Sequence, residues 1–193
     1  MPNYPIHTIA SAPEKSRPAL AQLQKAFGVL PNLPAVIANS PKLINSLVGL
    51  FGQVHSPGLS EAENQIVLLT DAVANSSTYA VAFHTALALQ QGISSEETVA
   101  IREGRVPTNK RFAALSTLAK TLIEKRGHLS DQELDSFTAA GFTKEQVLEV
   151  IAVVAASTIT NGAGTSVEPS LEDPFRQHAL RGFQQRTETT AAG

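Results

Sequence analysis

Four short motifs decide the structural class of this chain. Ser60/Glu63, Ser94/Glu97, Ser130/Glu133 and Thr143/Gln146 each set a hydroxyl residue three positions ahead of a Glu or Gln. That spacing is the capping box: the hydroxyl accepts from an N–H of the first helical turn, and the longer side chain reaches back to the cap residue's own N–H. Each motif therefore marks a helix start. Apolar residues at helical spacing fill the stretches between them. Leu20, Leu23 and Phe27 line a helix from Arg17 that Gly28 ends. Residues Val29 to Pro34 turn into a short helix through Ile37, and Ser40-Pro41 caps another whose buried stripe is Leu43, Leu47, Leu50 and Phe51. Phe112, Leu115, Leu118, Leu122 and Ile123 face inward from a helix over about Asn109 to Lys125, closed by Gly127. Leu134 and Phe137 do so from the next, ended by Gly141. No stretch alternates as a half-buried strand would. The class is all-α.

The segment Val147 to Ile159 is apolar nearly all round, and a helix of that kind belongs at the centre of a bundle or between subunits. Its β-branched residues make a buried strand the competing reading, but its length and the capping box at Thr143 favour a helix. Asn161-Gly162-Ala163-Gly164-Thr165 then reads as a turn, followed by a short helix near Phe175 to Phe183. Met1 to Pro13 reads as an extended arm, lying across a neighbour or disordered, and Gln184 to Gly193 as a frayed tail. With no linker or low-complexity segment between them, residues 1–193 read as a single domain.

Composition narrows the function classes. There is no cysteine, which excludes disulfides, thiolate metal sites and thiol catalysis. Net charge is -2 and the fifteen Lys and Arg are scattered, so neither nucleic acid nor an anionic membrane is an expected partner. The N-terminus lacks a secretory pattern, and the longest apolar run falls short of the ~20 residues of a membrane span. The expected location is the cytoplasm. His7, His55, His128 and His178 are dispersed, with no carboxylate cluster at metal spacing, so no metal or other cofactor is expected.

Leu59 to Ile93 organises the rest. It reads as two helices hinged near Asn75, with Ser77, Ala80 and His84 at i, i+3 and i+7 on one helical face. Within it, Asn75, Tyr79 and His84 fit the pattern Asn-x-Cys-x-Tyr-Cys-x-x-x-His. The chain here resembles the carboxymuconolactone decarboxylase and AhpD-like alkylhydroperoxidase family, in its peroxidase-related branch. Gly28-Val29-Leu30-Pro31-Asn32-Leu33, Ser40-Pro41, Leu59-Ser60, Gln90-Gln91-Gly92-Ile93 and Phe142-Thr143 extend the likeness from about Phe27 to Phe175. The resemblance implies an AhpD-like helical bundle with a central apolar helix, assembled as a homo-oligomer.

The departures from the pattern bear directly on chemistry. Redox members of the family use two cysteines three apart, a histidine, and a glutamate twelve residues before the first cysteine. Here those positions carry Ser77, Ala80, His84 and Gln65. Serine forms no disulfide and ionises far less readily than a thiol of pKa ~8.5, so peroxide reduction by the family route is closed. The branch's downstream Asn-x-x-Asn-His keeps only its first residue, Asn161. The resemblance leaves His84 as the candidate acid or base, with Gln65, Ser77, Tyr79, Ala80 and Asn161 as candidate contacts to a small organic molecule. Each has a plainer reading. His84 can be a hydrogen-bonded core histidine, Ser77 can fill a cysteine-sized space, and Tyr79 can be packing. Three functions are weighed, in order: a thiol-independent enzyme on a small organic substrate, a binding or scaffolding homo-oligomer without catalysis, and last, against the missing thiols, alkylhydroperoxidase activity.

Overall fold

All four expected helix starts are present, and three are complete capping boxes. The fourth is half-formed. Ser94 accepts from Glu97 N–H, but the Glu97 carboxylate turns away to accept from Thr108 N, Thr108 Oγ1 and Asn109 N at 2.7–2.9 Å. It thereby ties one helix to the start of the next instead of closing its own box. Burial raises the Glu97 pKa, but these hydrogen bonds outweigh it and the net shift is downward.

The structure is a computed structural model that describes residues 4–179, all helix, turn and loop, with no strand among them. Its helices are α1 Arg17–Phe27, α2 Asn32–Ile37, α3 Pro41–Val54, α4 Glu61–Ala74, α5 Thr78–Gln90, α6 Ser95–Arg102, α7 Lys110–Glu124, α8 Asp131–Ala139, α9 Lys144–Val167 and α10 Asp173–Arg176. The expected tail from Gln184 and the last expected helix from residue 180 onward lie outside the described residues. The arm, over residues 4–13, lies across its own chain: His7 N donates to Ala35 O at 3.3 Å, and Asn39 Nδ2 donates to Pro5 O at 2.9 Å.

Two apolar clusters form the interior. One joins α4, α5, α7 and the first half of α9 through Ile66, Leu69, Val81, Leu115, Leu118, Val150 and Val153. The other joins the arm, α1, α2, α3, α5 and α10 through Leu20, Leu33, Ile44, Leu47, Tyr79 and Phe175. The α3 stripe is rotated from expectation: Ile44 is fully buried, while Leu43 is 37% exposed. α9 is the apolar helix that reaches both clusters, and α4 is the most enclosed, with every residue from Glu63 to Ala72 buried. Glu63 closes its capping box and also receives Arg111 at 2.7 and 2.9 Å, while the guanidinium lies 4.0 Å over the Phe142 ring. That pairing fastens α4 to α7.

α9 differs most from expectation. It runs on through Asn161-Gly162-Ala163-Gly164-Thr165 to Val167, where a turn was expected. Glycine in a helix costs ~1 kcal/mol relative to alanine, but packing along α9 against α2, α3, α4, α5 and α7 overrides that local preference. α9 is 24 residues long and holds an 18-residue stretch of mean hydropathy 1.5, the length and composition to cross a membrane, with 39% of that stretch buried within the chain.

Because Gly164 is helical, and a Cβ there would meet Leu33 Cδ2 and Ser77 Oγ at an ordinary 3.7 Å, Gly164→Ala is expected to stabilise the fold by ~0.5–1 kcal/mol. Thermal unfolding checks this. A lowered melting temperature would mean the segment is not held as helix.

Candidate functional site

α4 and α5 are antiparallel neighbours joined by Asn75-Ser76-Ser77, a turn in which Ser76 takes φ 54°. Asn75 closes α4 by donating from Nδ2 to Asp71 O at 2.9 Å and to Asp71 Oδ1 at 3.1 Å. Ser77 begins α5 but its side chain makes no cap hydrogen bond; the Oγ is buried and without a partner. The hinge expected near Asn75 is therefore real, and it fixes how the two helices present their side chains.

Gln65 and His84, nineteen residues apart in sequence, meet between α4 and α5: His84 Nδ1 lies 3.0 Å from Gln65 Oε1. An amide oxygen only accepts, so Nδ1 carries the proton and Nε2 is the bare nitrogen of the ring. Nε2 has no hydrogen-bond partner among the described residues. The ring is 6% exposed and stands edge-on to Phe83 at 5.3 Å. Desolvation first, and the positive charge of His55 second, push its pKa down to about 3. His84 is thus neutral near pH 7. It has no imidazolium proton to give as a general acid, and it is a weak base.

The other expected site residues separate. Ala80 packs in the α4/α5/α7 cluster. Tyr79 faces the opposite cluster, where its hydroxyl donates to Glu172 at 3.0 Å and accepts from Leu33 N at 3.5 Å. Burial, and the negative charge of Glu172, raise its pKa. The same carboxylate accepts from Asn32 N, so Tyr79 and Glu172 pin the C-terminal segment onto α2. Ser77 makes no hydrogen bond to His84, which leaves no Ser–His pair.

Asn161 belongs to a second polar group that the sequence did not reveal. Its Nδ2 donates to Asp71 Oδ2 at 2.6 Å and to Ser157 Oγ at 3.2 Å, while its Oδ1 is buried and unpartnered. Asp71 is fully buried in the last turn of α4. Desolvation raises its pKa to about 6, against the opposing hydrogen bonds from Ser157, Asn75 and Asn161. The one available signal was a lone carboxylate in the apolar run Ile66 to Ala74. Asp71, not His84, is the group here that titrates nearest neutrality. Among the described residues no three His, Asp or Glu side chains come together as a metal site.

Residues 41–121, from α3 into α7, match the model of the carboxymuconolactone decarboxylase family. Through this segment the chain is similar to that family. It holds Gln65, Asp71, Ser77, Tyr79, Ala80 and His84, whereas Asn161 lies beyond it. No curated protein sequence matches the chain. Among solved structures, an uncharacterized peroxidase-related protein with an AhpD core from Ralstonia eutropha JMP134 superposes with TM-score 0.79 at 18% identity, over 90% of this chain and 93% of that one. The debrominase Bmp8, as a variant in complex with 2,3,4-tribromopyrrole, does so with TM-score 0.76 at 17% identity, over 91% and 94%. A peroxidase-related protein from Silicibacter sp. TM1040 gives 0.75 at 14%, over 89% and 91%. At these identities the likeness establishes the AhpD-like fold.

The two shifted groups act on stability in opposite directions. Asp71 has its folded pKa raised from 3.8, so the folded state holds an extra proton between pH ~4 and ~6, and that stabilisation is lost as pH rises through 6. His84 has its folded pKa lowered from 6.5, so the unfolded state holds the extra proton; its stabilisation is complete above 6.5 and is lost as pH falls toward 3. Each slope is ~1.4 kcal/mol per pH unit, and between pH ~4 and ~6 they cancel. Asp71→Asn removes one of them. Relative to wild type, the variant is expected to gain of order 3 kcal/mol between pH 4 and pH 7 in urea unfolding. A difference that does not change with pH would contradict the raised Asp71 pKa.

Proposed function

We propose that this chain is a family member without dithiol chemistry that works in the cytoplasm by binding and self-association, not by turning over a peroxide. The observation that carries the reading is the closed His84–Gln65 contact, buried and uncharged, at the positions where the redox members have their histidine and glutamate. With Ser77 and Ala80 replacing the two thiols, neither an electron store nor a proton relay remains at that centre.

Self-association is supported by the outer face of α9. Leu148, Ile151, Ala155, Thr158, Gly162 and Thr165 are all exposed and follow one another at spacings of three and four, the seam that a packed partner helix covers. The apolar character of α9 is explained by a second copy of the chain against this seam. The protein is expected to sediment as a dimer or larger at micromolar concentration, and Leu148→Glu with Ile151→Glu to reduce it to a monomer. A wild-type monomer would overturn this part of the reading.

A thiol-independent enzyme is the second reading, favoured by the unpartnered His84 Nε2 and by two buried oxygens without donors, Ser77 Oγ and Asn161 Oδ1. In that case His84 acts as base toward a small organic molecule that brings its own N–H or O–H, with Gln65, Tyr79 and Ala80 shaping the site. A debrominase of the same fold is known with a bromopyrrole bound, so the scaffold accommodates such molecules elsewhere. Two measurements test these readings, the first against peroxide turnover and the second between binding and catalysis. In a dithiol-coupled assay with hydrogen peroxide or an alkyl hydroperoxide, no turnover above background is expected. By NMR, the His84 ring is expected to keep its neutral signature from pH 5 to 8. Titration of His84 near pH 6.5, with turnover abolished by His84→Ala, would favour the enzyme.

A further inference from the structure

On the other side of α4, a cleft of ≈290 Å³ opens between the end of α3, the loop at residues 55–60 and the first half of α9. Much of its wall is apolar, formed by Val54, Leu59, Leu148 and Ala152. Two oxygens on its lining residues lack donors. Asn64 is fully buried; its Nδ2 is taken by Val54 O at 3.1 Å, and its Oδ1 has no partner. Glu149 turns Oε2 inward, also without a partner, and no hydrogen bond or ion pair reaches this carboxylate among the described residues. The inward position depends on Gly58. A Cβ at that residue would stand 2.6 Å from Oε1 and 2.9 Å from Oε2. Glu145 adds a second negative charge on the same lining.

A buried acceptor without a donor is costly, and more so when it is charged. Acceptors, negative charge and an apolar wall, with no basic side chain on the lining, are together the complement of one ligand chemistry. We propose that this cleft binds a small organic ammonium ion, its N–H groups donating to Asn64 Oδ1 and Glu149 Oε2 and its short alkyl body lying on Val54, Leu59 and Ala152. The assignment stands apart from the His84 centre and holds whichever reading of that centre is right. Charge-assisted hydrogen bonds supply the affinity and the apolar wall selects against bare cations.

The test is a titration of the full chain with n-butylammonium chloride, followed by amide chemical shifts around residues 53–64 and 145–153. Saturable binding is expected. Glu149→Gln, which keeps the shape and removes the charge, is expected to weaken it by about tenfold. Gly58→Ala is expected to weaken it as well, by displacing the carboxylate; unchanged thermal melts confirm that both variants fold. Neutral n-butanol and anionic butyrate are expected not to saturate the site. The assignment is overturned by an absence of saturable shifts, by equal affinity in Glu149→Gln, or by potassium chloride giving the same shifts. It is likewise overturned if Glu149→Gln dissociates an assembly of the chain while no amine binds, since the occupant would then be a basic side chain of a second copy.

Discussion

The complete enclosure of α4 is the constraint on which the rest of the structure depends. Every residue from Glu63 to Ala72 is buried, yet the segment carries Glu63, Asn64, Gln65, Thr70 and Asp71. Buried polar groups draw their hydrogen bonds from neighbours, and in this segment only Asn64 Oδ1 is buried without one. The partners are distributed one helix at a time. Asn64 donates to Val54 on α3, Gln65 accepts from His84 on α5, Thr70 shares a hydrogen bond with Ser116 on α7 at 2.9 Å, and Asp71 accepts from Asn161 on α9. Apolar burial supplies most of the driving force, but these contacts set the rotation of α4 against four helices.

The same enclosure explains why the polar residues of α4 form two separate contacts. Gln65 and Asp71 are six residues apart, which places them ~9 Å apart along the helix axis and on different faces. Gln65 consequently meets α5 and Asp71 meets α9. An uncharged amide at residue 65 settles the neighbouring histidine as a neutral hydrogen-bond donor, whereas a carboxylate there would favour its charged form. The negative charge of this interior sits instead at Asp71, among three donors. The polar groups of α4 thus serve packing and hold a buried acid whose ionisation is linked to folding.

Much of this was legible in the chain. Capping boxes declare helix starts because the hydrogen bonds they report are local, and every one marked a real helix. The hinge at Asn75 and the missing thiols were equally plain, since both rest on residue identity at fixed spacing. Reading failed where local preference and tertiary packing disagree. Gly162 and Gly164 look like a turn, yet α9 passes through them because the contacts along that helix outweigh a glycine's cost. Leu43 and Ile44 are interchangeable in an apolar pattern, and only the position of the neighbouring helices decides which faces inward.

What the amino-acid order determined by itself is the class of fold, the starts of its capped helices, and the chemistry that is closed to it: without cysteine there is no dithiol. What the tertiary structure decided is how the remaining polar groups pair. Burial and partner choice arise from contacts between residues such as Asp71 and Asn161, ninety positions apart, and no local spacing encodes them. His84 is neutral, and Asp71 titrates near neutrality, because of how completely water is removed from each. That quantity exists only once the helices are packed.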